Sequence, residues 1–137
     1  MFVKHFRYLL PAIFLLVQQP ANALISITVT GNTNTVPALA SSYVSFSSAV
    51  SALNSVTAFN GPVTFNMTSG TTETAAAQIT LTQAGSMLYP IVFQKSGALA
   101  NPKLTRTDAG TNTTAALGAF GDGVLRIDGT DNITFNG

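Results

Sequence analysis

The chain has 137 residues, with 6 Lys+Arg, 5 Asp+Glu, one His and no Cys, and only 8% of its residues are charged. Soluble domains usually carry about 25% charged residues, so solubility here has to come from neutral polar side chains. This length holds one domain, a net charge of +1 gives no basic footprint for nucleic acid, and the lack of Cys removes disulfides, thiolate metal sites and thiol nucleophiles.

The first residues read as an export signal. Lys4, His5 and Arg7 precede an apolar run from Leu9 to Val17 interrupted by Pro11, and Gln18-Gln19-Pro20 leads into Ala21-Asn22-Ala23. A basic start, a short apolar stretch and a small-x-small site predict a signal peptide over 1–23, cut between Ala23 and Leu24. The run is far shorter than the roughly 20 apolar residues that span a bilayer, so no membrane span is expected in the mature chain. No Cys follows the cut to carry a lipid.

Removing 23 of the 137 residues leaves 114, in which Lys95, Lys103, Arg106 and Arg126 face Glu73, Asp108, Asp122, Asp128 and Asp131, a net charge of −1. His5 leaves with the leader. The mature chain then has neither His nor Cys, which closes off His-bound zinc, Ser-His-Asp triads and Cys-His pairs. The expected location is secreted or at the cell surface.

Between Leu24 and Thr72 no side chain is charged. Thr suits a pleated surface, whereas the Lys and Glu favoured on helices are missing. Leu24 to Thr30 alternates, with Ile25, Ile27 and Val29 on one face, and Gly31 to Thr35 is a turn cluster. Residues 24–42 are therefore expected as an N-terminal strand and linker. Tyr43, Phe46, Val50 and Leu53 recur at helical spacing, so a helix is expected over 43–56, capped by Ser41 or Ser42. After Gly61-Pro62 the period becomes two. Val63–Met67, Gln78–Thr82, Pro90–Gln94, Leu104–Thr107, Val124–Asp128 and Asn132–Asn136 all read as short strands.

Three of these segments share one pattern of two β-branched residues, Phe and an amide: Val63-Thr64-Phe65-Asn66, Ile91-Val92-Phe93-Gln94 and Ile133-Thr134-Phe135-Asn136. In stacked parallel strands, about 4.8 Å apart, Phe would stack on Phe and amide on amide. The repeat therefore predicts an all-β right-handed parallel β-helix, a solenoid begun by a capping helix over 43–56, with coils over 62–137. An antiparallel sandwich is the alternative. Because the last residues, Phe135-Asn136-Gly137, lie on a strand pattern, the chain is expected to be an incomplete, truncated fragment.

Tyr43 to Asn54, then Gly61-Pro62-Val63-Thr64-Phe65-Asn66 and Thr72-Glu73-Thr74, resemble the start of a right-handed parallel β-helix module of large secreted surface proteins of Bacteroidota type. Pro90 to Gly97 and Leu125 to Gly137 are similar to its later coils. The resemblance covers about residues 40–137 and implies a pectate-lyase-like superfold. It further implies an adhesive or sugar-binding role and, for the full protein, a C-terminal sorting domain for type IX secretion. The motifs specify architecture better than activity.

Few residues carry chemistry. Asp122, Asp128 and Asp131 sit beside Gly121, Gly123 and Gly129, where Asp-Gly steps are turn chemistry first and a calcium site second. Lys95, Lys103, Arg106 and Arg126 read as solvated charges rather than the base of a sugar lyase. Carboxylates from Asp108 to Asp131 have no spacing that marks a glycosidase pair. Phe46, Phe65, Phe93 and Phe135 fall in apolar periodicity and are expected in the core. Tyr89, before Pro90, is the one surface aromatic candidate for a sugar ring. No catalytic, cofactor or metal residue is assigned. The expected function is a secreted or cell-surface structural and adhesive module, non-catalytic in this segment, facing extracellular polysaccharide or a host or cell-surface glycan. The alternative is the N-terminal part of a polysaccharide lyase or glycoside hydrolase with its groove on later coils.

Overall fold

A computed structural model describes residues 24–107 and 123–137. The expected leader, Ala23, Asp108 and Asp122 lie outside the described residues.

The alternation at the start of this region forms β1 (Ile27–Thr30). Ile25, Ile27 and Val29 are buried while Ser26, Thr28 and Thr30 face out, as a period of two requires when one face is covered. Gly31, at φ 76°, turns the chain into a single 3-10 turn over Asn32–Asn34. A Cβ at this position would collide with the Pro62 carbonyl oxygen. β2 (Thr35–Val36) and β3 (Ser42–Tyr43) follow, and β3 returns antiparallel to β1.

The helix α1 spans Phe46–Leu53. Ser45 caps it, its Oγ accepting from the Ser48 N–H at 3.1 Å. Phe46, Ala49, Val50 and Leu53 form its buried face. β4 (Ala58–Phe59) then pairs antiparallel with β2.

The remaining strands are β5 (Val63–Thr68), β6 (Thr72–Ala75), β7 (Ile79–Leu81), β8 (Ile91–Ser96), β9 (Lys103–Arg106), β10 (Leu125–Ile127) and β11 (Ile133–Asn136). One five-stranded sheet runs in the order β11-β8-β5-β1-β3, and three two-stranded sheets join β10 to β7, β2 to β4 and β6 to β9. Val63, Phe65, Ile79, Leu81, Ile91 and Phe93 meet the buried face of α1 and the apolar face of β1 in one core. Phe46 tilts against Phe93, with ring centroids 5.4 Å apart.

Several expectations need correction. The fold is not a right-handed parallel β-helix: the described residues form short, separate sheets with one α-helix, not closed into a solenoid. In the five-stranded sheet β1 runs antiparallel to both β3 and β5, and β2–β4 is antiparallel as well. The physical reason lies in the connections: after Gly31 the chain passes through the 3-10 turn and through β2, which pairs with β4, before residues 41–43 return along one edge of β1, and β5 takes the other edge in the opposite direction. Parallel pairing is confined to β5–β8–β11, β6–β9 and β7–β10.

The helix is also shorter than 43–56. Tyr43 is drawn into β3 opposite Ile27, and the cap is Ser45 rather than Ser41 or Ser42. At the other end, the Asn54 N–H still donates to the Val50 carbonyl, after which helical hydrogen bonding gives way to tighter turns that close at Ser55 and Val56. Of the four Phe residues expected in the core, Phe135 is 44% exposed.

Candidate functional site: an uncharged hydroxyl and amide face

The three motif segments stand in register. β5 and β8 pair Val63 with Ile91, Thr64 with Val92, Phe65 with Phe93 and Asn66 with Gln94. β8 and β11 pair Ile91 with Ile133, Val92 with Thr134, Phe93 with Phe135 and Gln94 with Asn136. On the inner face the rings stack: Phe65 on Phe93 at 4.7 Å and 15°, and Phe93 on Phe135 at 5.0 Å and 9°. Such offset stacks fix register as well as burying area.

The residues between them point out. Register alone assembles one row across all five strands: Ser42, Thr28, Asn66, Gln94 and Asn136. A second row holds Thr30, Thr64, Val92 and Thr134. Thr68 and Ser96 start a third. Neighbouring strands place members of a row about 4.8 Å apart, and rows lie two residues, about 6.7 Å, from one another. None of these side chains is charged, and all are half-buried or exposed.

Hydrogen bonds hold part of this face in place. Gln94 Nε2 donates to Asn66 Oδ1 at 2.8 Å. Asn66 Nδ2 donates to Thr30 Oγ1 at 3.2 Å and to the Thr28 carbonyl at 3.3 Å. Thr68 Oγ1 donates to the Ser26 carbonyl at 3.0 Å. The amides are therefore oriented along the row before any partner arrives, which reduces the entropy lost on binding.

Elsewhere the polar groups serve the fold. Glu73, 2% exposed, receives the backbone N–H groups of Phe46 at 2.5 Å and Ser47 at 3.0 Å, and the Ser47 hydroxyl at 2.7 Å. It is a second N-terminal anchor for α1, delivered from β6. A cleft of about 460 Å³ runs between α1 and residues 75–80. Its Asn54 is committed to the Thr80 carbonyl at 2.7 Å and the Thr82 N–H at 3.0 Å, and Gln78 donates to the Gly123 carbonyl at 2.9 Å. An apolar cavity of about 310 Å³ is lined by Ile25, Phe46, Met67, Leu104, Leu125 and Phe135.

The sequence candidates are scattered. Asp128 pairs with Arg126 at 2.8 Å and Arg106 donates to the Gly123 carbonyl at 3.0 Å. Asp131 is exposed, and its carbonyl accepts from the Gly85 N–H. Among the described residues no three His, Cys, Asp or Glu side chains gather as metal ligands would. Tyr89 is half-buried in a turn closed by paired backbone bonds with Ser86. No helix among the described residues is long and apolar enough to cross a membrane.

The anchoring role of Glu73 was missed in the sequence. The available signal was a lone carboxylate after nearly fifty uncharged residues, in a chain whose helix has no acid in its first turn. The continuous outward row was legible only for its Phe-amide members. Comparison with protein-family models, curated proteins and solved structures finds no match. The functional reading therefore rests on this geometry.

Proposed function

We propose that the chain is an exported, non-catalytic adhesive or structural module whose outward sheet face binds uncharged extracellular polysaccharide. The observation that carries this reading is the row Ser42–Thr28–Asn66–Gln94–Asn136, with the row Thr30–Thr64–Val92–Thr134, hydroxyls at every place but Val92, beside it. Repeated hydroxyls and amides offer donors and acceptors at regular intervals, which suits a polymer of repeating hydroxyls. Without charge, the face has nothing to recruit phosphate or uronic acid preferentially. The non-catalytic part is supported by the use made of two of the described acids: Glu73 is consumed in holding α1, and Asp128 is paired with Arg126, while Asp131 lies exposed ahead of β11.

Affinity electrophoresis of the mature chain through gels containing neutral or anionic polysaccharides tests this. The expected result is retardation by a neutral glycan that persists in salt, since screening weakens only charge-driven binding. Gln94→Glu, which puts a charge in the middle of the row, should abolish the retardation while the circular dichroism stays native. Retardation by anionic glycans alone, lost in salt, or an unchanged Gln94→Glu variant would overturn the proposal.

A further inference from the structure

We propose that Asn60 is a site of spontaneous covalent modification: its side-chain amide cyclises on to the Gly61 backbone nitrogen and opens with water to aspartate and isoaspartate, loosening the entry to β5. Asn60-Gly61 forms the bend between β4 and β5. Asn is a thermolabile residue, and this reaction needs an accessible amide carbon and a following backbone N–H not held elsewhere. Glycine obstructs the approach least, because it has no Cβ.

The fold leaves both groups free. Asn60 is exposed, and its side chain makes no hydrogen bond among the described residues. The Gly61 N–H has no acceptor among them either, although Gly61 is a buried residue and buried backbone N–H groups are nearly always paired. Its neighbours are tied on both sides. The Asn60 N–H donates to the Asn34 carbonyl at 2.7 Å, the Pro62 carbonyl accepts from Asn34 Nδ2 at 2.9 Å, and the Val63 N–H donates to the Pro90 carbonyl at 3.2 Å. Asn54, which precedes the small Ser55, is the opposite case. Its amide is committed to the Thr80 carbonyl and the Thr82 N–H, and the Ser55 N–H donates to the Ala52 carbonyl at 3.1 Å.

In the first step the Gly61 nitrogen gives up its proton and bonds to Asn60 Cγ. The Cγ–Nδ2 bond breaks and ammonia leaves with that proton, closing a cyclic imide. Water then adds to one of the two imide carbonyls. Opening at the side-chain carbonyl gives aspartate; opening at the backbone carbonyl gives isoaspartate, whose main chain runs through Cβ and Cγ and is one methylene longer. Either product brings a carboxylate into Leu24–Thr72, a stretch without charge. Isoaspartate also displaces Gly61, where even a Cβ would lie 2.7 Å from Asn34 Nδ2. The longer backbone therefore parts Asn34 from the Pro62 carbonyl, immediately before β5 begins at Val63.

Peptide mapping by mass spectrometry, on the purified chain aged at neutral pH both folded and in urea, tests the proposal. Asn60 should convert in the folded chain at a rate within about tenfold of that in urea, since a free site adds less than one tenfold step to the barrier. Asn54 should stay intact in the folded chain. Asn60→Gln, whose longer side chain closes the ring far more slowly, should remain unmodified at that position with a native circular dichroism spectrum. The isoaspartate fraction, separated by ion exchange, should melt at a lower temperature than the unaged chain. Conversion of Asn60 only in urea or in neither state, conversion of Asn54 as fast as Asn60 in the folded chain, or an isoaspartate fraction that melts with the unaged chain would overturn it.

Discussion

The Glu73 carboxylate on β6 and the Phe46 backbone N–H at the start of α1 meet at 2.5 Å, across 27 residues of sequence. The helix has no acid of its own in its first turn. A distant strand therefore supplies the negative charge that a helix N-terminus favours, and in doing so ties α1 to the sheets.

Replacing Glu73 should be among the costlier single changes. Hydrogen bonds to a charged group contribute roughly 1.5–3 kcal/mol each, and two backbone N–H groups and a hydroxyl converge here. Glu73→Ala is expected to lower unfolding free energy by about 3 kcal/mol, and Glu73→Gln by about half as much. Urea titration followed by circular dichroism measures both. A loss below about 0.5 kcal/mol for Glu73→Ala would show that water replaces the carboxylate at little cost.

The ring stack should be graded by burial. Phe93 is fully buried between two rings, and Phe→Ala in such a site costs about 3–5 kcal/mol. Phe135→Ala removes a ring that is 44% exposed, and about 1 kcal/mol is expected from the smaller area lost. Equal costs, measured by chemical denaturation at low protein concentration, would contradict the stack as described.

Asn54 acts as a side-chain strand beside β7, donating to the Thr80 carbonyl and accepting from the Thr82 N–H. Asn54→Asp keeps the acceptor but turns a second oxygen toward the Thr80 carbonyl. It should cost more than Asn54→Ala, itself about 1–2 kcal/mol. Hydrogen exchange at the Thr82 amide should accelerate in the Ala variant and stay slow in the wild type. An unchanged rate would break the assignment.

Two glycines with positive φ give a controlled comparison. A Cβ at Gly31 would strike the Pro62 carbonyl, whereas one at Gly129 meets nothing within 4 Å. Gly129→Ala should show only the conformational term of about 1–2 kcal/mol, and Gly31→Ala clearly more. Thermal unfolding of the two variants resolves the difference. Identical shifts would mean that the turn at Gly31 relaxes freely.

Local pattern revealed the strands and not their directions. The alternations at Ile25–Val29 and in the three Phe-amide segments gave positions and faces correctly, because a period of two is written in single residues. The stacking of Phe65, Phe93 and Phe135 followed from their likeness. Strand direction is set by the connections, and the return of the chain after the 3-10 turn and β2 that lays β3 antiparallel on β1 has no counterpart in periodicity. Tyr43 matched the helical spacing of Phe46 and Val50, yet pairing with Ile27 claimed it for β3. β6, Thr72–Ala75, lacked an apolar alternation because its one inward polar residue, Glu73, is buried by helix donors rather than by apolar contact.

Register across β5, β8 and β11 underlies the outward row, and paired cysteines read it most directly. The chain has no native Cys, so Thr64→Cys with Val92→Cys, and Val92→Cys with Thr134→Cys, give clean backgrounds. Directly opposed residues lie within the Cα separation of about 4.4–6.8 Å that a disulfide tolerates. Both pairs should oxidise readily under native conditions, and Thr64→Cys with Gln94→Cys, two positions out of register, should not. Efficient closure of the offset pair with failure of the opposed ones would contradict the row on which the account stands.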